Sequence, residues 1–149
     1  MFKYTIINKP NITINIVILN KIFIKVSEII KKEQKGFINI VFVSDEEIKD
    51  LNKNYRQKNK TTDVLSFHYF EDFSQISNED TAWEIILSYN KIKSQAKEYW
   101  LWEEKEFYKL VIHSLLHILW YDHEEDSDYK IMQEFENQIW DEIFDNKGK

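Results

Sequence analysis

The chain has 149 residues, a formal net charge of −6 and no cysteine. That length suits one domain with a proper core, here taken over residues 1–149, and a hydrophobic content of 43% excludes a disordered chain. The acidic balance excludes a nucleic-acid binder that works through its overall field, so any RNA contact has to come from a local basic patch. The missing cysteines exclude disulfides and thiolate metal ligands.

Taken in order, Met1-Phe2-Lys3-Tyr4-Thr5 begins no signal peptide. No apolar run approaches the length that spans a bilayer. The expectation is a soluble, cytoplasmic protein with no membrane partner. Residues 2–8 are rich in Ile and Thr. The alternation over Asn11–Ile18 predicts a first strand, with Asn8-Lys9-Pro10 as a break before it. From Leu19 to Lys35 the residues Leu19, Ile22, Phe23, Val26, Ile29 and Ile30 recur at helical spacing, and Gly36 is the expected stop. Phe37–Val43 predicts a second strand.

Ser44-Asp45-Glu46-Glu47 carries a helix-start signature: a serine cap, a glutamate three residues on and acids in the first turn. The helix it opens places Ile48, Leu51 and Tyr55 on one face. A polar, basic loop follows from Arg56 to Asp63. Val64–Phe70 is a third strand candidate, an acidic connector runs to Thr81, and Trp83–Tyr89 is a fourth. Asn90 is the expected cap of a helix to about Leu101. A helix over Glu103–Tyr121 and a last one over about Asp126–Phe144 complete the chain. The last is expected to bury Met132, Phe135, Ile139 and Ile143. Strands and helices intermix without repeats, so the class is α/β or α+β: one small mixed sheet packed with about five helices.

Three of the four histidines fall within His113–His123. His113 and His117 are four apart, which on a helix stacks both imidazoles on one face. His123 follows where the helix ends and the chain turns back, so three ring nitrogens can converge on one point. Leu110, Val111, Ile112, Leu115, Leu116, Ile118 and Leu119 make this helix apolar nearly all round. A lone histidine in such a helix is ordinarily a hydrogen-bonded core residue. Burying two imidazoles costs a few kcal/mol unless their nitrogens are satisfied, and one metal ion satisfies a nitrogen of each. The expectation is a metal site on a central buried helix with His113, His117 and His123 as ligands. The metal is one zinc per chain, or another divalent ion that suits imidazole.

Two stretches together resemble the YbeY family of bacterial metal-dependent endoribonucleases. The family's H-G-x-L-H-L-x-G-Y-D-H stands here as His113-Ser-Leu-Leu-His117-Ile-Leu-Trp-Tyr121-Asp122-His123. Its L-N-x-x-Y/F-R-x-K-x-x-P-T-D-V-L-S-F-P stands as Leu51-Asn52-Lys-Asn-Tyr55-Arg56-Gln-Lys58-Asn-Lys60-Thr-Thr62-Asp63-Val64-Leu65-Ser66-Phe67-His68. The resemblance covers nearly the whole chain and implies an α/β fold with one zinc on the three histidines. It also implies a role in maturation of the 3′ end of small-subunit ribosomal RNA and in ribosome quality control, with ribosomal RNA and the small subunit as partners. It makes Arg56 the catalytic residue on the RNA phosphate. The chain departs from the family at Ser114 and Trp120, each in place of Gly, at Thr61 and His68, each in place of Pro, and at Trp83-Glu84, in place of Gly-Asp.

Three neutral histidines leave a fourth position for water, which is the catalytic rather than the structural arrangement of zinc. Arg56 would supply a planar fork matched to phosphate. Lys58 and Lys60 extend that charge, and with His68 they are the candidate substrate-binding residues; exposed lysines in a solvated turn are an equally ordinary explanation. In H-E-x-x-H peptidases the residue after the first histidine is the general base. Here it is Ser114, which counts against a metallohydrolase of peptides or amides. A non-enzymatic ribosome assembly factor whose fold is held by its metal is the other alternative.

Overall fold

A computed structural model describes residues 1–56, 64–68, 76–99, 101–119 and 126–144. Four strands, β1 (Lys3–Ile7), β2 (Phe37–Val43), β3 (Val64–His68) and β4 (Thr81–Ser88), form one sheet in the order β1-β2-β4-β3. β1 and β2 are parallel, as are β2 and β4, while β3 runs antiparallel to β4. The described helices are α1 (Ile16–Ile29), α2 (Asp45–Arg56), α3 (Tyr89–Glu98), α4 (Glu103–Leu119) and α5 (Asp126–Phe144). This is the mixed α/β class that the interleaved patterns predict, and no described helix is long and apolar enough to cross a membrane.

The sheet separates two apolar clusters, which is why its central strands are apolar on both sides. β2 sends Ile38, Ile40 and Phe42 into the larger cluster with α1, α4 and α5, and β4 adds Trp83, Ile85 and Leu87. On the opposite face Val41, Val43 and Ile86 meet Ile48 and Leu51 of α2, with Leu65 and Phe67 of β3. Helix α4 lies in the larger cluster against β3 and β4.

The first strand is Lys3–Ile7, not Asn11–Ile18. Asn15 ends the alternation by capping α1: its side-chain oxygen accepts the Val17 N–H at 2.9 Å. Ile12, ahead of that cap, is buried in the larger cluster without being in a strand. α1 stops at Ile29, short of Gly36, and the buried Gln34 amide folds back to donate to the Ile30 carbonyl at 3.2 Å. Gly36 instead precedes β2, at a φ of +90°.

The expected capping box is present: Ser44 Oγ accepts the Glu47 N–H at 3.1 Å, and Glu47 accepts the Ser44 N–H at 3.4 Å. α3 is capped by Ser88, whose Oγ accepts the Lys91 N–H at 3.2 Å, rather than by Asn90, and it ends at Glu98. Along β2 and β4, Phe37 pairs with Thr81 but Ile38 pairs with Trp83, so Ala82 is the extra residue of a bulge.

Candidate metal centre

Helix α4 carries the histidine pair. Its first turn holds Glu103, Glu104 and Glu106, acids placed where a helix start favours negative charge. From Glu106 to Leu119 every residue is buried except Lys109, His113 and His117. Those three are spaced at four, so they form a single open stripe on an otherwise enclosed helix. The imidazoles therefore stand at the edge of the core rather than inside it, and the desolvation cost expected from full burial is reduced.

The two rings are 4.3 Å apart, centroid to centroid, and inclined at 63°. His113 is further held by α5: its Nδ1 is 2.6 Å from Oε1 of Glu136. Lys109 sits 4.7 Å over the Tyr99 ring, a cation–π contact that draws the stripe's cation toward the end of α3.

Two further contacts set the position of α4. At its N-terminal end the Tyr108 hydroxyl donates to Glu104 and accepts the Asn15 N–H, the latter at 2.7 Å, tying α4 to the cap of α1. Burial, and then the bond to Glu104, push the Tyr108 phenol well above its ordinary range. At the other end Lys32 Nζ donates to the Leu119 carbonyl at 2.9 Å, a cation placed on the helix C-terminus.

The site residues expected from the sequence divide as follows. His113 and His117 are brought together on one face. His123, Lys58 and Lys60 lie outside the described residues. Arg56 is the last residue of α2 and His68 the last of β3, and only their backbones are described. Ser114 is 1% exposed, so it faces the core and away from the histidine stripe.

The donor chemistry of the pair fits a divalent ion of the zinc type. Two imidazoles share an accessible face, and the Nδ1 of one is already engaged by a carboxylate, which leaves its Nε2 for a ligand. Among the described residues no group of three or more His, Cys, Asp or Glu side chains is arranged to hold a metal. The third donor would have to come from outside them, as His123 would.

Glu136 was not among the residues singled out in the sequence. Its signal is its place in the helical repeat. It falls four after Met132 and three before Ile139, a carboxylate on the face of α5 that both of those residues bury.

A family model described as Endoribonuclease YbeY matches residues 7–144. Proteins of that name from several organisms are similar to this chain. The one from Caldicellulosiruptor bescii is 37% identical over 130 residues, covering 82% of each chain. The one from Fusobacterium nucleatum is 40% identical over 114 residues, covering 75% of this chain and 70% of its own. The one from Aster yellows witches'-broom phytoplasma is 32% identical over 132 residues, covering 89% and 86%. A solution structure of a Thermotoga maritima protein, 28% identical, superposes with a TM-score of 0.56 over 100% of this chain and 99% of that one. With a family model spanning nearly the whole chain and relatives of one name matching most of it, this chain belongs to the endoribonuclease YbeY family.

Proposed function

We propose that this chain is a metal-dependent endoribonuclease that acts on precursor ribosomal RNA, at the 3′ end of the small-subunit RNA. The observation that carries the reading is the histidine pair on the one open stripe of α4, in a chain of the endoribonuclease YbeY family. His113, His117 and His123 would hold the ion. Zinc on three neutral imidazoles supplies a Lewis acid that polarises a phosphoryl oxygen and acidifies water.

The chain's own residues supply the rest. Arg56 offers a guanidinium fork to the phosphate and offsets the charge that develops there during cleavage. Lys58 and Lys60 add positive charge to the same segment, which lets an acidic protein attract a polyanion locally. His68 closes β3 on the chain segment that Arg56 opens, and we place it with the substrate-binding residues. Leu115, Leu116 and Ile118 of the same helix are enclosed in the core.

A peptidase reading is disfavoured by Ser114, which occupies the chain position where an H-E-x-x-H enzyme has its general-base glutamate and which faces the core. The test is cleavage of a single-stranded RNA and of a small-subunit 3′ precursor by zinc-loaded protein, His117→Ala and Arg56→Ala. Both variants are expected to lose on the order of 10²-fold or more in rate, with Arg56→Ala still holding its metal. Cleavage that survives both substitutions would contradict the proposal.

A further inference from the structure

Among the described side chains, Glu136 of α5 reaches the histidine stripe. Glu136 is partly buried between the enclosed Met132 and Ile139, and its Oε1 lies 2.6 Å from Nδ1 of His113. A carboxylate in such a place loses hydration, and that loss is offset only by a strong partner. An ionised carboxylate accepts hydrogen bonds and donates none. A neutral His113 ring in this contact would therefore donate from Nδ1 and keep its lone pair on Nε2.

We infer that Glu136 is a positioning residue for the metal centre. It selects the His113 tautomer that presents Nε2 as a ligand, and it holds the ring in the plane that faces the open stripe. The inference rests on the metal reading above and deepens it. A ligand histidine whose other nitrogen donates to a carboxylate is both more basic and less free to rotate. The two rotatable bonds of His113 are thereby restrained before an ion arrives, so less freedom is lost on binding. His117, one turn away at a centroid distance of 4.3 Å, then meets a fixed partner.

The test is zinc affinity, measured by competition with a chromophoric chelator, on the full chain and on Glu136→Ala, Glu136→Gln and His113→Ala. Circular dichroism of the zinc-free proteins confirms folding. Nitrogen-15 spectra of the zinc-free histidine rings at pH 8 report the tautomer. The wild type is expected to bind zinc and to show His113 protonated at Nδ1. Glu136→Ala is expected to lose about 10- to 100-fold in affinity and to show a mixture of tautomers. Glu136→Gln, whose amide oxygen can still accept from Nδ1, is expected to fall between them. If His113→Ala loses zinc while Glu136→Ala and Glu136→Gln bind as the wild type does, the metal centre stands and the role of Glu136 is overturned. If the wild type takes up no zinc, both readings fall. Glu136→Gln keeps the test open should Glu136→Ala fail to fold.

Discussion

His113 and His117 stand one helical turn apart with ring centroids separated by 4.3 Å, on a stripe that is open only at them and at Lys109. Every other residue of α4 from Glu106 onward is buried. The helix is held by its apolar surround, and the histidines stand at the edge of it, each partly exposed.

That division separates metal binding from folding. His117→Ala is expected to change the stability of the zinc-free protein by no more than about 1 kcal/mol, because the residue is partly exposed rather than enclosed in the core. Zinc at about 100 times its dissociation constant stabilises a folded binder by about 2.7 kcal/mol. For a chain of this size that is a rise in Tm of roughly 5–10 °C. The wild type should show that rise in a thermal melt and His117→Ala should not.

Gly36 is bound by two constraints at once. Its φ is +90°, and a Cβ placed there would come within 2.6 Å of the Asp80 carbonyl oxygen. That oxygen accepts the Phe37 N–H at 2.7 Å, so it cannot withdraw without loosening the entry to β2. Gly36→Ala is expected to cost about 1–3 kcal/mol from backbone strain alone. Chemical denaturation would register this as a lower midpoint with an unchanged slope.

Tyr108 makes stability fall at alkaline pH. Burial and its bond to Glu104 raise the folded-state phenol above the value of about 10 that it has unfolded. Stability from this group is complete below pH 10. It is lost as the pH climbs from there toward the folded-state value, because the unfolded chain releases its proton first. Tyr108→Phe is expected to flatten that decline. It should also lower stability near neutral pH by about 1–2 kcal/mol through loss of the Asn15 and Glu104 contacts. Unfolding curves between pH 7 and 11 would check both.

Ser114 carries a buried hydroxyl that finds no hydrogen-bond partner among the described residues. Ser114→Ala removes that group without opening space and improves helix propensity. It is expected to raise stability by about 1 kcal/mol and to leave zinc affinity unchanged, since the side chain faces the core.

Much of this arrangement is legible in the residues themselves. Asp126–Phe144 and Phe37–Val43 coincide with α5 and β2 because each has an unbroken period. The Ser44–Glu47 box marks α2 because both of its partners are local. The alternation over Asn11–Ile18 misleads because a single cap, Asn15, overrides a short period of two, while the apolar repeat from Leu19 onward belongs to a helix that has already begun. The cap of α3 is displaced to Ser88 by its hydroxyl, which also reaches Asp45 across the sheet end, a contact that local sequence does not reveal. The histidine pair is visible from spacing alone. Its exposure is not, since that depends on which faces of α4 are covered by the sheet and by its neighbouring helices. Glu136 is 23 residues from His113, and only the packing of α5 on α4 joins them.

The histidines of α4 are expected to bind a metal. Elemental analysis of the wild type and of His117→Ala, both purified without chelator and without a histidine tag, tests this most directly. The expected result is about one zinc or similar divalent ion per wild-type chain, and its loss in the variant. A wild type that carries no metal, and takes up none on titration, would contradict the account and leave His113 and His117 as a packed pair.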